Sequence, residues 1–130
     1  MIVLDTHVWV WWVHGDAHLS GTQADAIARS EHDEIGVSII SCWEIAKLVE
    51  NARLDLPESP RDWLSKALAY PGVVLQELTP DIVVESTELP GDFHRDPADQ
   101  MIVATARIYR CPLVTSDEKL LKYPHVETIG

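Results

Sequence analysis

The sequence predicts an α/β fold in which helices cover both faces of a central parallel sheet. Short apolar, β-prone runs alternate with segments whose apolar residues recur every three or four positions, which is the pattern of strands connected by amphipathic helices. The first run, Ile2-Val3-Leu4, has no polar face, as is typical of a strand buried between two helical layers. These observations predict a three-layer α/β/α arrangement around a roughly five-stranded parallel sheet.

Five apolar runs are predicted as strands because each is short, rich in β-branched or aliphatic residues and bounded by polar or turn-forming residues. In chain order they are residues 2–4, 35–39, 73–75, 113–115 and 126–129. Connections that contain helices favour parallel pairing with right-handed crossovers.

The helices of the first half are placed by their start signals. The first helix follows Asp5 and carries an unusually aromatic surface. Ser20 or Thr22 can cap the second helix through its side-chain oxygen. Ser41 is predicted to open the third helix, since Glu44 lies three residues later and the pair has the spacing of a capping box.

The helices of the second half each begin with a capping residue followed by proline. Proline suits the first helical position, where the missing N–H would have no partner within the helix. The starts are Ser59-Pro60, Thr79-Pro80 and Asp96-Pro97. The last of these helices has the clearest apolar periodicity, and Cys111-Pro112 ends it.

Composition limits the function classes. The chain has 130 residues, enough for one domain over residues 1–130, and 46% of them are hydrophobic, which excludes intrinsic disorder. Two cysteines are too few for a disulfide scaffold and fit no zinc-ligand spacing. No segment has the length of a membrane-spanning helix or the form of a signal peptide, so we expect a cytoplasmic protein without a membrane partner. The net charge of −11 argues at first against a nucleic-acid partner.

Five carboxylates fall at the edge of the predicted sheet where the strands have their carboxyl ends. They are Asp5, Glu44, Asp96, Asp99 and Asp117. In an open parallel sheet this edge surrounds the crevice in which ligands bind. Clustered carboxylates repel one another, and a hard divalent cation with oxygen ligands, such as Mg²⁺ or Mn²⁺, would compensate for that repulsion.

Most of these carboxylates also have a structural alternative. Asp96 is a good helix N-cap, and Asp99 suits the positive end of the helix dipole. Glu44 could complete a capping box, and Asp117 could be an ordinary turn residue. Asp5 is harder to explain in this way, because a carboxylate that ends a buried strand needs a partner.

Four segments of the sequence resemble the motifs of PIN-domain ribonucleases. They are Leu4-Asp5-Thr6-His7, Ser41-x-x-Glu44, His94-Arg95-Asp96-Pro97-Ala98-Asp99-Gln100-Met101-Ile102 and Thr115-Ser116-Asp117. The segments occur in the order typical of that family and span essentially the whole chain. The closer resemblance is to the VapC-type toxins of bacterial and archaeal toxin–antitoxin pairs.

The resemblance implies a single PIN domain and a metal-dependent endoribonuclease that hydrolyses RNA phosphodiester bonds. It assigns the catalytic and metal-binding roles to Asp5, Glu44, Asp99 and Asp117, which would hold one or two Mg²⁺ or Mn²⁺ ions per site. It gives auxiliary roles to Asp96, Thr6, Ser41 and Thr115. It also implies a cognate VapB-like antitoxin that blocks the site, and a homodimer.

Basic and aromatic residues near the motifs are candidates for RNA contacts. Lys47, Arg95 and Lys119 are predicted to flank the metal site and to meet phosphates. Trp9, Trp12 and Trp43 could stack on bases, or could instead line the core, a dimer contact or an antitoxin groove. A bound cation would reverse the charge locally, so the overall acidity does not exclude RNA as the substrate.

Three other functions fit less well. A phosphatase of the haloacid dehalogenase type needs a second Asp two residues after its nucleophile, where this chain has His7. A receiver-like signalling domain needs paired acids at the first strand and an Asp after a middle strand, and the third predicted strand is instead followed by Gln76-Glu77. A PIN relative that binds without cleaving stays open, although all the acidic positions are intact.

Overall fold

The computed structural model describes residues 1–130, and one or two helices connect each strand to the next. The elements are β1 (Ile2–Leu4), α1 (Thr6–His14), α2 (Gly21–Arg29), β2 (Ile35–Ser38), α3 (Ile39–Glu50), α4 (Pro60–Leu68), β3 (Val73–Gln76), α5 (Pro80–Thr87), α6 (Pro97–Tyr109), β4 (Leu113–Val114), α7 (Glu118–Leu121) and β5 (Thr128–Ile129). No helix is both long enough and apolar enough to cross a bilayer.

The five strands form one parallel sheet in the order β3-β2-β1-β4-β5. β1 is the central strand, and Leu4 pairs with Val37 of β2 on one side and with Val114 of β4 on the other. The predicted fold class is therefore confirmed. Because all strands run the same way, the residues that follow β1, β2 and β4 meet at one edge of the sheet.

The core has two parts, one on each face of the sheet. Ile2 and Leu4 face a cluster that includes Trp9 of α1 and Trp63 of α4. Val3 points to the other face and belongs to a cluster with Ile102 of α6. Successive residues of a strand alternate between faces, and both faces of this sheet are covered, so all three residues of β1 are buried. This explains why the strand has no polar side.

Most helix starts agree with the sequence. Ser20 rather than Thr22 caps α2, in a capping box with Gln23. The Ser-Pro, Thr-Pro and Asp-Pro pairs cap α4, α5 and α6 as expected.

The predicted start of α3 is wrong. Ser38 is the N-cap, and its side chain accepts a hydrogen bond from the backbone N–H of Ile40, so the helix begins at Ile39 and β2 ends one residue early. Ser41 lies inside the helix and is fully buried, and Glu44 lies in the second turn, so the two do not form a capping box.

One short helix was absent from the sequence prediction. α7 has four residues and follows Asp117, whose side chain accepts a hydrogen bond from the backbone N–H of Lys119. A single turn is too short to show an apolar periodicity. The last two strands are also shorter than predicted, with two paired residues each.

Candidate metal centre

A cavity of about 380 Å³ opens at the carboxyl-terminal edge of the central strands. It is lined by Asp5, His7, Trp11, Glu44, Asp96, Asp99, Ser116 and Asp117. All five carboxylates singled out in the sequence are in this set. They come from four separate parts of the chain, and the parallel sheet brings these parts to one place.

Asp5 lies at the floor of the cavity, directly after β1, and is only 7% exposed. One carboxylate oxygen accepts the backbone N–H of Thr6 at 2.8 Å, and the other accepts the hydroxyl of Thr115 at 2.7 Å. Burial raises the pKa of Asp5, and these two hydrogen bonds oppose that rise. The partner that a buried carboxylate requires is thus a hydroxyl and an amide from two neighbouring segments.

Glu44 reaches the cavity from α3 and is held by α1. Its Oε1 lies 2.5 Å from the hydroxyl oxygen of Thr6, which in turn lies 2.9 Å from the hydroxyl oxygen of Ser41. Burial, reinforced by the charges of Asp5 and Asp99, raises the pKa of Glu44 to about 7. This arrangement removes the capping-box alternative for Glu44, because its carboxylate contacts another helix rather than the start of its own.

Asp96 and Asp99 are presented by the first turn of α6. Asp96 is the N-cap and accepts the backbone N–H of Asp99 at 3.0 Å. The carboxylate of Asp99 lies 2.6 Å from Nε2 of His94, and burial raises its pKa while the contact with His94 opposes the rise. The capping alternative therefore holds for Asp96, which also faces the cavity.

Asp117 lies on the loop after β4 and caps α7. Its backbone N–H donates to the hydroxyl of Thr115 at 3.1 Å, the same hydroxyl that donates to Asp5. Buried Gln23 of α2 donates to the hydroxyl of Ser116 at 2.7 Å. These bonds fix the loop between its neighbours and place Asp117 beside Asp5.

The donor set fits a hard divalent cation. The polar lining consists mainly of carboxylate oxygens, and no Lys or Arg side chain lines the cavity. The pKa is raised for Asp5, Glu44 and Asp99 alike, so the metal-free cavity holds negative charge poorly, and a cation would relieve that cost. In this metal-free arrangement no three of the carboxylates are grouped as a coordination sphere, and Asp5, Glu44 and Asp99 each contact a protein hydrogen-bonding group.

The three predicted phosphate-binding cations lie outside this cavity. Lys47 is exposed and pairs with Glu50 at 2.8 Å on the same helix. Arg95 lines a neighbouring cavity beside Phe93, and Lys119 lines another one, which also contains His94. Their contact with RNA phosphates stays a prediction.

The tryptophans occupy different environments from one another. Trp9 is fully buried against Trp63, and Trp12 packs edge-on against Tyr70 with ring centroids 5.2 Å apart. Trp43 is 54% exposed on α3 and does not line the cavity. The tryptophan that lines it is Trp11, which was not among the candidates. Its position could have been predicted from the sequence, because Trp11 follows His7 by four residues and the two rings therefore lie on one face of α1.

Comparison with known proteins places these features in a family. The family model of the PIN domain matches residues 2–126. Ribonuclease VapC22 of Mycobacterium tuberculosis is 35% identical over 124 residues, which is 95% of this chain and 92% of the relative.

Solved structures with the same fold include toxin–antitoxin complexes. VapBC2 of Rickettsia felis, bound to a promoter DNA fragment, matches with a TM-score of 0.72 and 17% identity over 98% of this chain and 97% of the other. VapC20 of Mycobacterium tuberculosis, a toxin that cleaves the sarcin–ricin loop, matches with a TM-score of 0.65 and 17% identity over 98% of this chain and 99% of the other. On the evidence of the family match and the identity to a curated relative, the chain belongs to the PIN-domain family.

Proposed function

We propose that this protein is a metal-dependent endoribonuclease and the toxin of a toxin–antitoxin pair. The observation that carries the proposal is the convergence of five carboxylates in one cavity, in a chain that is 35% identical to a VapC ribonuclease. All five acids are intact, which favours a nuclease over a binding-only relative.

Four carboxylates are proposed to hold the metal: Asp5, Glu44, Asp99 and Asp117. When bound, Mg²⁺ or Mn²⁺, as one or two ions, supplies Lewis acidity toward a phosphate oxygen and makes a water more acidic. The protein's own contribution is to fix the ligands. Thr115 and Thr6 hold Asp5 and Glu44, Ser41 supports Thr6, and Asp96 fixes the helix turn that carries Asp99.

A VapB-like antitoxin is the proposed partner. Two of the structural neighbours are complexes of this kind, VapBC2 of Rickettsia felis and VapBC of Salmonella typhimurium, the latter with a TM-score of 0.69 and 15% identity. The acidic cavity suits a basic antitoxin segment, which would compete with the metal for the carboxylates and exclude the substrate from the cavity. We further propose that residues 1–130 form a single PIN domain that acts as a homodimer on RNA in the cytoplasm.

The test is cleavage of defined RNAs by the purified protein with Mg²⁺ or Mn²⁺ and with chelator. Cleavage should need the metal, and Asp99→Asn should lose more activity than the roughly 10- to 100-fold typical of residues that only support a metal ligand. Asp62→Asn is a matched control, because Asp62 occupies the same position of α4, three residues after its N-cap, without lining the cavity. Cleavage that survives both the chelator and Asp99→Asn would exclude the carboxylate–metal mechanism.

The toxin role is tested separately in cells. Induced expression of the wild-type protein should arrest growth, and co-expression of the cognate antitoxin should relieve the arrest. The Asp99→Asn variant should not arrest growth, whereas Asp62→Asn should. Arrest by Asp99→Asn at the wild-type level would favour the alternative, a PIN relative that acts by binding.

A further inference from the structure

One aromatic side chain breaks the acidic lining of the cavity. Trp11 is the only apolar residue among the eight that line it. Part of its indole packs against the core cluster under α1, and the ring is half-buried. The indole is therefore held in place by the core and open to the cavity at the same time.

The chain folds back so that a second aromatic ring covers Trp11. Gly15 has a φ of 61°, a left-handed conformation that ends α1 and reverses the chain. The backbone N–H of Asp16 then donates to the carbonyl of Trp11 at 2.9 Å. The imidazole of His18 stacks on the indole with ring centroids 5.4 Å apart and an interplanar angle of 22°.

His18 is fixed in this position although its side chain is 75% exposed. One carboxylate oxygen of Asp16 accepts the backbone N–H of His18 at 2.8 Å and lies 2.7 Å from its Nδ1. Trp11 and Asp16 already hold the ring, so a ligand that stacks on it would cause little further loss of conformational entropy. Trp11 and His18 thus form a short stack that runs from the cavity toward solvent.

A stack of this kind would add binding energy for RNA that the negative charge of the cavity does not oppose. No Lys or Arg lines the cavity, and the molecule carries a net charge of −11, so phosphate contacts alone would hold RNA weakly. Stacking of a base on an aromatic ring is insensitive to this repulsion and contributes substantially to single-strand binding. A metal-bound phosphate and a stacked base would hold one nucleotide at two points.

We propose that the Trp11–His18 stack is a nucleobase site at the rim of the metal cavity. One base of the RNA stacks on this pair while a phosphate next to it lies at the carboxylates. The inference rests on the proposed nuclease function and adds to it a site for the base. We assign the site to a nucleobase because the stack presents an exposed, pre-positioned aromatic face beside the cavity proposed to hold the scissile phosphate.

The test compares two ligands that differ only in the base. Adenosine 5′-monophosphate and ribose 5-phosphate carry the same phosphate and sugar, and neither contains a phosphodiester bond to cleave. With Mg²⁺ present, the wild-type protein should bind the nucleotide about tenfold more tightly than the sugar phosphate, as one stacked base predicts. In NMR titrations, the indole N–H signal of Trp11 should shift more with the nucleotide than with the sugar phosphate.

Three variants test whether the preference for the nucleotide over the sugar phosphate comes from the Trp11–His18 stack. Trp11→Leu should bind both ligands equally, His18→Ala should lose part of the preference, and Trp11→Phe, which keeps an aromatic face, should retain most of it. Trp43→Leu, at an exposed tryptophan away from the cavity, should behave as wild type. The NMR spectra also report whether each variant is folded.

The outcomes separate this inference from the nuclease proposal. Equal binding of the two ligands by the wild type, binding of neither, or a base preference that persists in Trp11→Leu would overturn the base site. If Trp11→Leu keeps that preference but weakens antitoxin binding, the stack belongs to the protein interface and the inference is wrong. The nuclease proposal fails independently, when the wild-type protein cleaves no RNA in the presence of metal.

Discussion

At the residue scale, the contact between His94 and Asp99 determines how one proposed metal ligand is oriented. The imidazole lies 2.6 Å from one carboxylate oxygen of Asp99 and stacks on Phe93 with ring centroids 4.4 Å apart. The backbone carbonyl of His94 accepts the side-chain amide of Gln100 at 3.2 Å. The ring is thus fixed on two sides, and it leaves the other oxygen of Asp99 free for a cation.

We expect His94→Phe to weaken Mn²⁺ binding by about 10- to 100-fold, the usual effect of removing a group that supports a metal ligand. His94→Gln keeps an N–H donor and should restore most of the affinity. Calorimetric titration of metal into chelator-treated protein measures both. Tighter binding in His94→Phe would show instead that His94 competes with the metal for Asp99.

Residue positions in the site differ in how far the sequence could predict them. The carboxylates lie next to strand ends and helix starts, so the sequence places them at one edge. The contact of Thr6 with Glu44 depends on where α3 begins, and that start was displaced by three residues. Trp11 meets His18 because Gly15 ends α1 and reverses the chain. A glycine there is a local signal for the end of a helix, but it does not show which side chains meet after the turn.

At the scale of a single element, α6 raises the question of whether Asp96 is a cap, a metal ligand or both. It caps the helix through the backbone N–H of Asp99 and also lines the cavity. Asn caps a helix as well as Asp does, whereas Ala does not. The two substitutions therefore separate the capping role from the charge.

We expect Asp96→Asn to unfold at the wild-type urea concentration and Asp96→Ala to lose about 1 kcal/mol of unfolding free energy. If Asp96 is mainly a cap, Asp96→Asn should also keep Mn²⁺ affinity within a few-fold, while Asp99→Asn should lose it. A loss of affinity in Asp96→Asn as large as that in Asp99→Asn would make Asp96 a direct ligand.

Element boundaries show where local signals compete. Ser38 and Ser41 are both plausible caps, and the sequence pattern favoured Ser41 because Glu44 follows at the right spacing. In the structure Ser38 caps α3, while Ser41 is buried beside Thr6, so tertiary contacts decided between the two. The Ser-Pro, Thr-Pro and Asp-Pro starts had no such competitor and were predicted correctly.

At the scale of the whole molecule, the metal-free cavity should make stability depend on pH. The folded protein raises the pKa of Glu44 from 4.5 to about 7, and that of Asp5 and Asp99 in the same direction. Between these values the folded state binds more protons than the unfolded state, so the unfolding free energy falls as the pH rises from about 4.5 to 7.

We expect Glu44 to contribute a fall of about 1–2 kcal/mol over this range, after allowance for its partial exposure to solvent. Urea unfolding of chelator-treated protein between pH 5 and 8 measures it. Glu44→Gln should flatten the curve and stabilise the metal-free protein at high pH, whereas Glu50→Gln, at an exposed position of the same helix, should not. An unchanged slope in Glu44→Gln would refute the assignment.

The net charge of −11 makes the location of the cations more important than their number. Arg95 and Lys119 form no ion pair, and each lines a cavity that Phe93 also lines. Lys47 pairs with Glu50 one turn beyond Glu44. If these three meet phosphates, each lost contact should reduce the salt dependence of RNA cleavage.

The triple variant Lys47→Ala, Arg95→Ala, Lys119→Ala should show a plot of log kcat/KM against log salt that is shallower by about 0.7 per lost contact. Its deficit relative to wild type should be largest at low salt, where counterion release contributes most. The control variant Arg29→Ala, Arg53→Ala, Arg61→Ala removes the same charge from exposed positions that line none of these cavities. Equal slopes in the two variants would mean that RNA senses only the net charge, and that phosphate is held by the metal alone.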